Sequence, residues 1–129
     1  QNPDEVAIRE RYEEAPAVRL NPELIEWALE NLIANALSAL DKRPGLIEVS
    51  VAPARGGRSV EILVRDNGRG MSPAEQRKAF EAGYTTKRRG WGLGLALTRR
   101  VVEEYHGGRI SIRASAAGQG TTMAIVLPV

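Results

Sequence analysis

Two short runs, IEVSVAP at residues 47–53 and SVEILVRD at residues 59–66, alternate apolar and polar side chains on either side of ARGGR. Side chains along a strand point to opposite faces in turn, so Ile47, Val49 and Val51 share one face, and Val60, Ile62 and Val64 do the same on the next run. The two glycines of ARGGR join the runs as a hairpin. A paired ribbon with one apolar face needs a cover, and the neighbouring segments have the helical periodicity to supply it.

Residues 21–42, NPELIEWALENLIANALSALDK, begin with Asn21 as N-cap and Pro22 at the first helical position, and Ile25, Leu29, Leu32 and Ala36 form an apolar stripe. Pro44 and Gly45 are expected to end this helix. A short helix is predicted over residues 73–80 from the Ser72-Pro73 pair. A longer one is predicted over residues 93–106, with Leu93, Leu97 and Val101 at spacing four and Gly107 as its stop. RISIRASA and TTMAIVLPV then flank a Gly118/Gly120 turn as a second hairpin. Hairpins separated by helices imply an α/β two-layer sandwich: a mixed, mostly antiparallel sheet with helices packed on one face. At 129 residues the chain fits one domain. Residues 1–16 are polar and charged and are expected to be a linker or the end of an upstream helix, with the domain over residues 17–129. A first residue other than Met is what a fragment of a longer chain would show.

The chain has no cysteine, which removes disulfides, thiolate nucleophiles and Cys-zinc sites, and its one histidine, His106, cannot form a metal cluster alone. A bound metal would be a hard cation held by oxygens, such as magnesium. The net charge of +2 does not argue for nucleic acid. No apolar run of about 18 residues and no export signal is present, so neither a membrane span nor direct membrane contact is expected of this segment.

Three places have the chemistry of a site. Asp66 continues the inward face of Val60, Ile62 and Val64, so a carboxylate that only accepts hydrogen bonds ends up on the core side, followed by Gly68 and Gly70. Such a group suits a donor such as the exocyclic amine of a base, although Asp-Asn-Gly is also ordinary turn chemistry. On the first helix Asn31 and Asn35 lie one turn apart, with Asn35 at the edge of the apolar stripe, and its amide oxygen is either a magnesium ligand or a structural acceptor. In RRGWGLGLALTRR, Gly90, Gly92 and Gly94 lead into a helix N-terminus, which is either an anion cradle or a hinge. The GxxxxGK[ST] and GxGxxG patterns are absent.

Together, and in this order, these strings resemble the ATP-binding catalytic domain of bacterial sensor histidine kinases, in the superfamily that includes gyrase, Hsp90 and MutL. NLIANA resembles the N box, DNGRGM the G1 box, AFEAGYTTK the F-box region and GWGLGL the G2 box, while HGGRISI and GQGTTMAIVLP resemble the closing segments. The likeness runs from about Val18 to Val129 and implies the Bergerat fold, with ATP and Mg2+ as cofactors. It implies that Asp66 accepts from the adenine amine, with Gly68 and Gly70 beside it and Thr121 or Thr122 nearby, Thr121 being the inward one by alternation. It implies that Asn35 coordinates magnesium, with Asn31 one turn before it. Gly90, Trp91, Gly92, Leu93 and Gly94 would close over the triphosphate, with charge neutralised by Lys87, Arg88 or Arg89. Two departures stand out: Ser38 occupies a position where many members have Lys, and Trp91 one where Thr is usual.

ATP-hydrolysing members of the superfamily carry Glu four residues before the magnesium Asn, and here that residue is Asn31, whose amide cannot take a proton. The resemblance therefore implies a protein-histidine kinase catalytic domain of a two-component system. It would transfer the γ-phosphate to a histidine on a separate, upstream dimerisation domain, and serve a response regulator indirectly. A hydrolytic ATPase or chaperone-like module is the alternative, and a nucleotide-independent interaction domain is a third. His106, in EYHGG, is expected to be a capping or surface residue rather than the phosphoacceptor, and the domain to be cytoplasmic, whether or not its parent is membrane-anchored.

Overall fold

The computed structural model describes residues 5–41, 44–81 and 94–129. Helix α1, Pro22–Ala39, starts where Asn21 accepts a hydrogen bond from the Leu24 N–H (3.1 Å), with proline at the position whose own N–H would go unused. Its buried positions, Ile25, Ala28, Leu32 and Ala36, recur at spacings of three and four. The helix stops at Ala39, before the predicted limit near residue 42. Leu40 takes an extended conformation, and the Ala39 carbonyl accepts from the Arg69 N–H (2.9 Å) instead of continuing the helical ladder.

The predicted hairpin is present as β2, Gly45–Ala54, and β3, Ser59–Asp66, joined through a 3-10 turn at Arg55–Gly57. Their register pairs Val51 with Ile62, Val49 with Val64 and Ile47 with Asp66, so the inward alternation ends on the carboxylate. The second hairpin is β4, Arg109–Ser115, and β5, Thr121–Pro128, and β5 inserts beside β3.

The first sixteen residues depart from the expected linker or helix end. Val6–Tyr12 form an edge strand, β1, running parallel to β2 with Ile8 opposite Ile47. A parallel neighbour requires a crossover, and α1 supplies it. The alternation of β1 is hidden in the sequence because Arg9, Glu10 and Arg11 interrupt it, and all seven residues are exposed; charge of this kind suits an edge strand. The sheet order is therefore β1-β2-β3-β5-β4, mixed and mostly antiparallel, with the helices packed on one face.

Helix α2, Pro73–Lys78, is set by a capping box in which the Ser72 hydroxyl and the Glu75 carboxylate each accept the other's backbone N–H. Helix α3, Gly94–Glu103, ends in a turn before Gly107. Its buried face is Thr98, Val101 and Val102, whereas Leu97, expected inward, is exposed. Thr98 is buried without cost because its hydroxyl donates to the Gly94 carbonyl within the helix (2.6 Å). His106 caps the end of this segment as expected: Nδ1 lies 2.8 Å from the Val101 carbonyl, while Nε2 accepts from the Asn21 N–H (3.0 Å) and so ties α3 to the start of α1. Among the described residues no helix is long and apolar enough to cross a membrane.

The core joins Ile25, Leu32, Val102, Ile47, Ile62, Val64, Ile125 and Leu127 in one cluster. Leu32 is 1% exposed and Leu37, five residues on, is 45% exposed. Leu32→Ala is expected to destabilise the domain by about 2–5 kcal/mol and Leu37→Ala by about 0.5 kcal/mol or less. Urea unfolding of the two variants measures the difference, and equal losses would contradict this placement of the core.

Candidate functional site

At the end of β3 Asp66 is 7% exposed. Burial pushes its carboxyl above the usual carboxylate range, because an ion loses solvation there; hydrogen bonds from the Gly68 and Thr121 backbone and the charge of Arg69 pull the other way, and Asp41 adds a smaller upward push. The Gly68 N–H donates to Oδ1 at 2.8 Å. A carboxylate offers about four acceptor positions, so those two backbone donors leave capacity for a further one. The geometry is that of a retained acceptor.

The turn after Asp66 runs against the end of α1. A side chain at Gly68 would collide with the Ala39 carbonyl, and one at Gly70, where φ is +69°, would collide with the Ala116 carbonyl. Both positions therefore require glycine for close backbone approach. Asn67 pins the neighbouring loop, accepting from the Leu46 N–H (2.9 Å) and donating to the Pro44 carbonyl (3.3 Å). Arg69 donates to the Ser38 carbonyl (3.2 Å), a cation at a helix C-terminus.

Asn31, Asn35 and Ala39 follow one another at spacing four and so lie along one line of α1, with about 12 Å of rise from first to last. Ala39 meets the Gly68 turn, and Asn31 Oδ1 lies 3.3 Å from where a Gly94 side chain would begin. Asn35, half-buried, stands between these two contacts. The Asn31 amide donates to the Trp27 carbonyl one turn back (3.0 Å), and Glu30 is exposed on a different side.

On the strand side Thr121 is directly opposite Asp66 and buried, while Thr122 is opposite Arg65 and faces outward, which resolves the pair in favour of Thr121 as the inward residue. Thr121 Oγ1 is 2.8 Å from Ser115 Oγ. Ser115 also accepts from the Met71 N–H (2.9 Å) and approaches the Gly120 carbonyl (3.2 Å), and Gln76 donates to the carbonyls of both Met71 and Ser115. These bonds sew the turn after β3 to the end of the second hairpin.

The structure thus brings together Asp66, Gly68, Gly70 and Thr121, and sets Asn31 and Asn35 along the adjoining α1, with Gly94 at the start of α3 against Asn31. Lys87, Arg88, Gly90, Trp91, Gly92 and Leu93 lie outside the described residues. Sequence reasoning missed Ser115, Asn67 and Gln76. For Ser115 the cause is a bulge in β4 between Ile112 and Ala114 that shifts the alternation and has no sequence signature here. The capping box of α2 was legible as Ser72-x-x-Glu75 and fixes where Gln76 begins. Among the described residues no cluster of three His, Asp or Glu side chains could hold a metal. Any divalent cation at Asn35 would depend largely on oxygens of its ligand and of water.

Residues 21–129 match the family described as histidine kinase-, DNA gyrase B-, and HSP90-like ATPase. The chain is 38% identical over 114 residues to the sensor histidine kinase ZraS of Escherichia coli K12, covering 88% of this chain and 23% of that protein. Its fold is similar to the mycobacterial sensor histidine kinase MprB, with a TM-score of 0.80 at 28% identity, covering 98% of this chain and 85% of the other. The nucleotide-free catalytic domain of histidine kinase ThkA shares the fold with a TM-score of 0.81 at 24% identity, covering 95% of this chain and 78% of that one. The chain belongs to the histidine kinase-, DNA gyrase B- and HSP90-like ATPases, as an ATPase domain of the sensor histidine kinase type.

Proposed function

We propose that this domain binds ATP between α1, the turn after β3 and the start of β5, and donates its γ-phosphate to a histidine on a separate dimerisation domain. The observation that carries the reading is the buried Asp66 carboxylate, with acceptor capacity to spare beside an inward Thr121. Asp66 accepts from the adenine amine, and the triphosphate extends along the Asn31–Asn35 face of α1 toward Gly94. The Asn35 amide oxygen is the magnesium ligand, and the metal neutralises phosphate charge when bound. Lys87, Arg88, Gly90, Trp91, Gly92 and Leu93 complete the phosphate side.

Transfer is favoured over hydrolysis by the residue at position 31. Its amide nitrogen donates to the Trp27 carbonyl and its oxygen is not basic enough to take a proton from water, while Glu30 is exposed on another side of the helix. In the transfer, an imidazole nitrogen of the acceptor forms the N–P bond, the bond from the γ-phosphorus to the bridging oxygen breaks, and ADP leaves with the charge. The chain spans 23% of the length of ZraS, and the acceptor domain and a response regulator served through it belong to this proposal for a longer parent. His106 is engaged by Val101 and Asn21 and is not the acceptor.

Titration with ATP and magnesium is expected to show Asp66→Asn binding about ten- to a hundredfold more weakly than wild type. Undiminished binding would overturn the adenine assignment. Asn35→Ala is expected to lose most of the gain in ATP affinity that magnesium confers, while retaining magnesium-free binding.

The raised carboxyl of Asp66 gives two opposite pH dependences. In the ligand-free domain its contribution to stability is fully present below the unfolded-state value and is lost as pH rises through the raised folded value. ATP needs the ionised acceptor, so affinity rises over that same interval with release of a proton. Calorimetry in buffers of different ionisation enthalpy measures the proton, and Asp66→Asn should release none from this source. With a histidine-containing dimerisation domain joined upstream, the chain is expected to acquire acid-labile, base-stable phosphate from labelled ATP, whereas steady release of free phosphate by the domain alone would favour the hydrolytic alternative.

A further inference from the structure

The bulge in β4 has a consequence for the base pocket. Ile110 and Ile112 lie opposite Ile125 and Met123, and simple alternation would bring Ala114 to the inner face. The shift between Ile112 and Ala114 instead sets Ala114 opposite the outward Thr122 and Ser115 opposite the inward Thr121. Thr121 therefore stands between Asp66 on β3 and Ser115 on β4. Bulges that re-aim one side chain in this way recur beside functional sites.

A serine hydroxyl donates one hydrogen bond and accepts two. The Met71 N–H can only donate and occupies one lone pair of Ser115 at 2.9 Å. The Gly120 carbonyl can only accept, and takes the serine hydrogen at 3.2 Å. With the serine hydrogen directed to that carbonyl, the 2.8 Å contact with Thr121, in which either hydroxyl could donate, uses the threonine hydrogen. In that arrangement the Thr121 hydrogen is turned toward Ser115 and its remaining lone pairs stand beside a carboxylate that likewise only accepts.

We propose that Ser115 is a specificity-determining positioning residue: by taking the Thr121 hydrogen it leaves two acceptors facing the base and so selects a 6-amino purine over a 6-oxo purine. The inference rests on the assignment of this pocket to adenine. An amine offers hydrogens to the acceptor pair, whereas an oxo group meets like dipoles with no donor and stays unpaired. Without the serine hydroxyl, Thr121 rotates freely and donates to the oxo group.

Equilibrium binding of ATP and inosine triphosphate, each with magnesium, tests this on wild type, Ser115→Ala, Ser115→Thr, Thr121→Val and the Ser115→Ala/Thr121→Val double variant. Wild type is expected to prefer ATP. Ser115→Ala should narrow the ratio roughly tenfold, chiefly through tighter inosine triphosphate binding, and Ser115→Thr should restore it. Thr121→Val should narrow the ratio as well, and adding Ser115→Ala to it should change the ratio no further, since the serine acts through the threonine. Thr121→Val keeps the branched shape and carries the test should Ser115→Ala fail to fold. Equal weakening of both nucleotides in Ser115→Ala, or additive effects in the double variant, overturns the proposal while leaving the adenine assignment intact. Undiminished ATP binding in Asp66→Asn overturns that assignment and the proposal with it.

Discussion

The Asp66 carboxylate sits at the end of a central strand where water barely reaches it, and much of the surrounding architecture follows from keeping it there. A desolvated anion requires donors, and the turn that follows supplies one through Gly68, which fits only because no side chain separates it from the end of α1. Thr121 supplies another from β5. The turn is in turn held by Asn67, Arg69 and Met71, each bonded to a different part of the fold. What looks in isolation like a flexible Gly-rich loop is a junction between helix, hairpin and strand end. Its rigidity follows from bonds to all three.

Burial disfavours the ionised state, the Gly68 and Thr121 backbone donors and Arg69 offset that in part, and a ligand that donates would offset it further. That arrangement favours binding over folding stability, a common feature of sites that must recognise polar groups with few contacts. The magnesium site proposed at Asn35 would have a different character. An amide is a neutral ligand, so the phosphates would have to bring the negative charge, and on that proposal metal and nucleotide are expected to depend on one another.

Much of this was legible before any coordinates. Alternation in the hairpin identified Asp66 as inward because its period matches the pleat, and the same alternation separated Thr121 from Thr122. Helical spacing found Asn31 and Asn35 on one line. The misses share a cause: they depend on contacts between distant segments. β1 becomes a strand only because β2 is there to pair with it, and its charged residues carry no apolar signal. α1 ends early because Arg69, thirty residues further on, takes the Ala39 carbonyl. Leu97 was expected inward from its spacing with Leu93 and Val101, but it is Thr98 that turns to the core, its hydroxyl already satisfied by its own helix. Ser115 reaches the site through a bulge that no local pattern announces.

The line of Asn31, Asn35 and Ala39 makes α1 a ruler as well as a scaffold. Each residue added to or removed from a helix rotates everything beyond it by about 100° and shifts it by about 1.5 Å. An insertion between Asn31 and Ala39 would leave every side chain present yet carry one end of the line away from its contact, either the Gly94 end or the Gly68 end. Along these two turns the domain should accept replacement of its exposed residues far more readily than any change in their number.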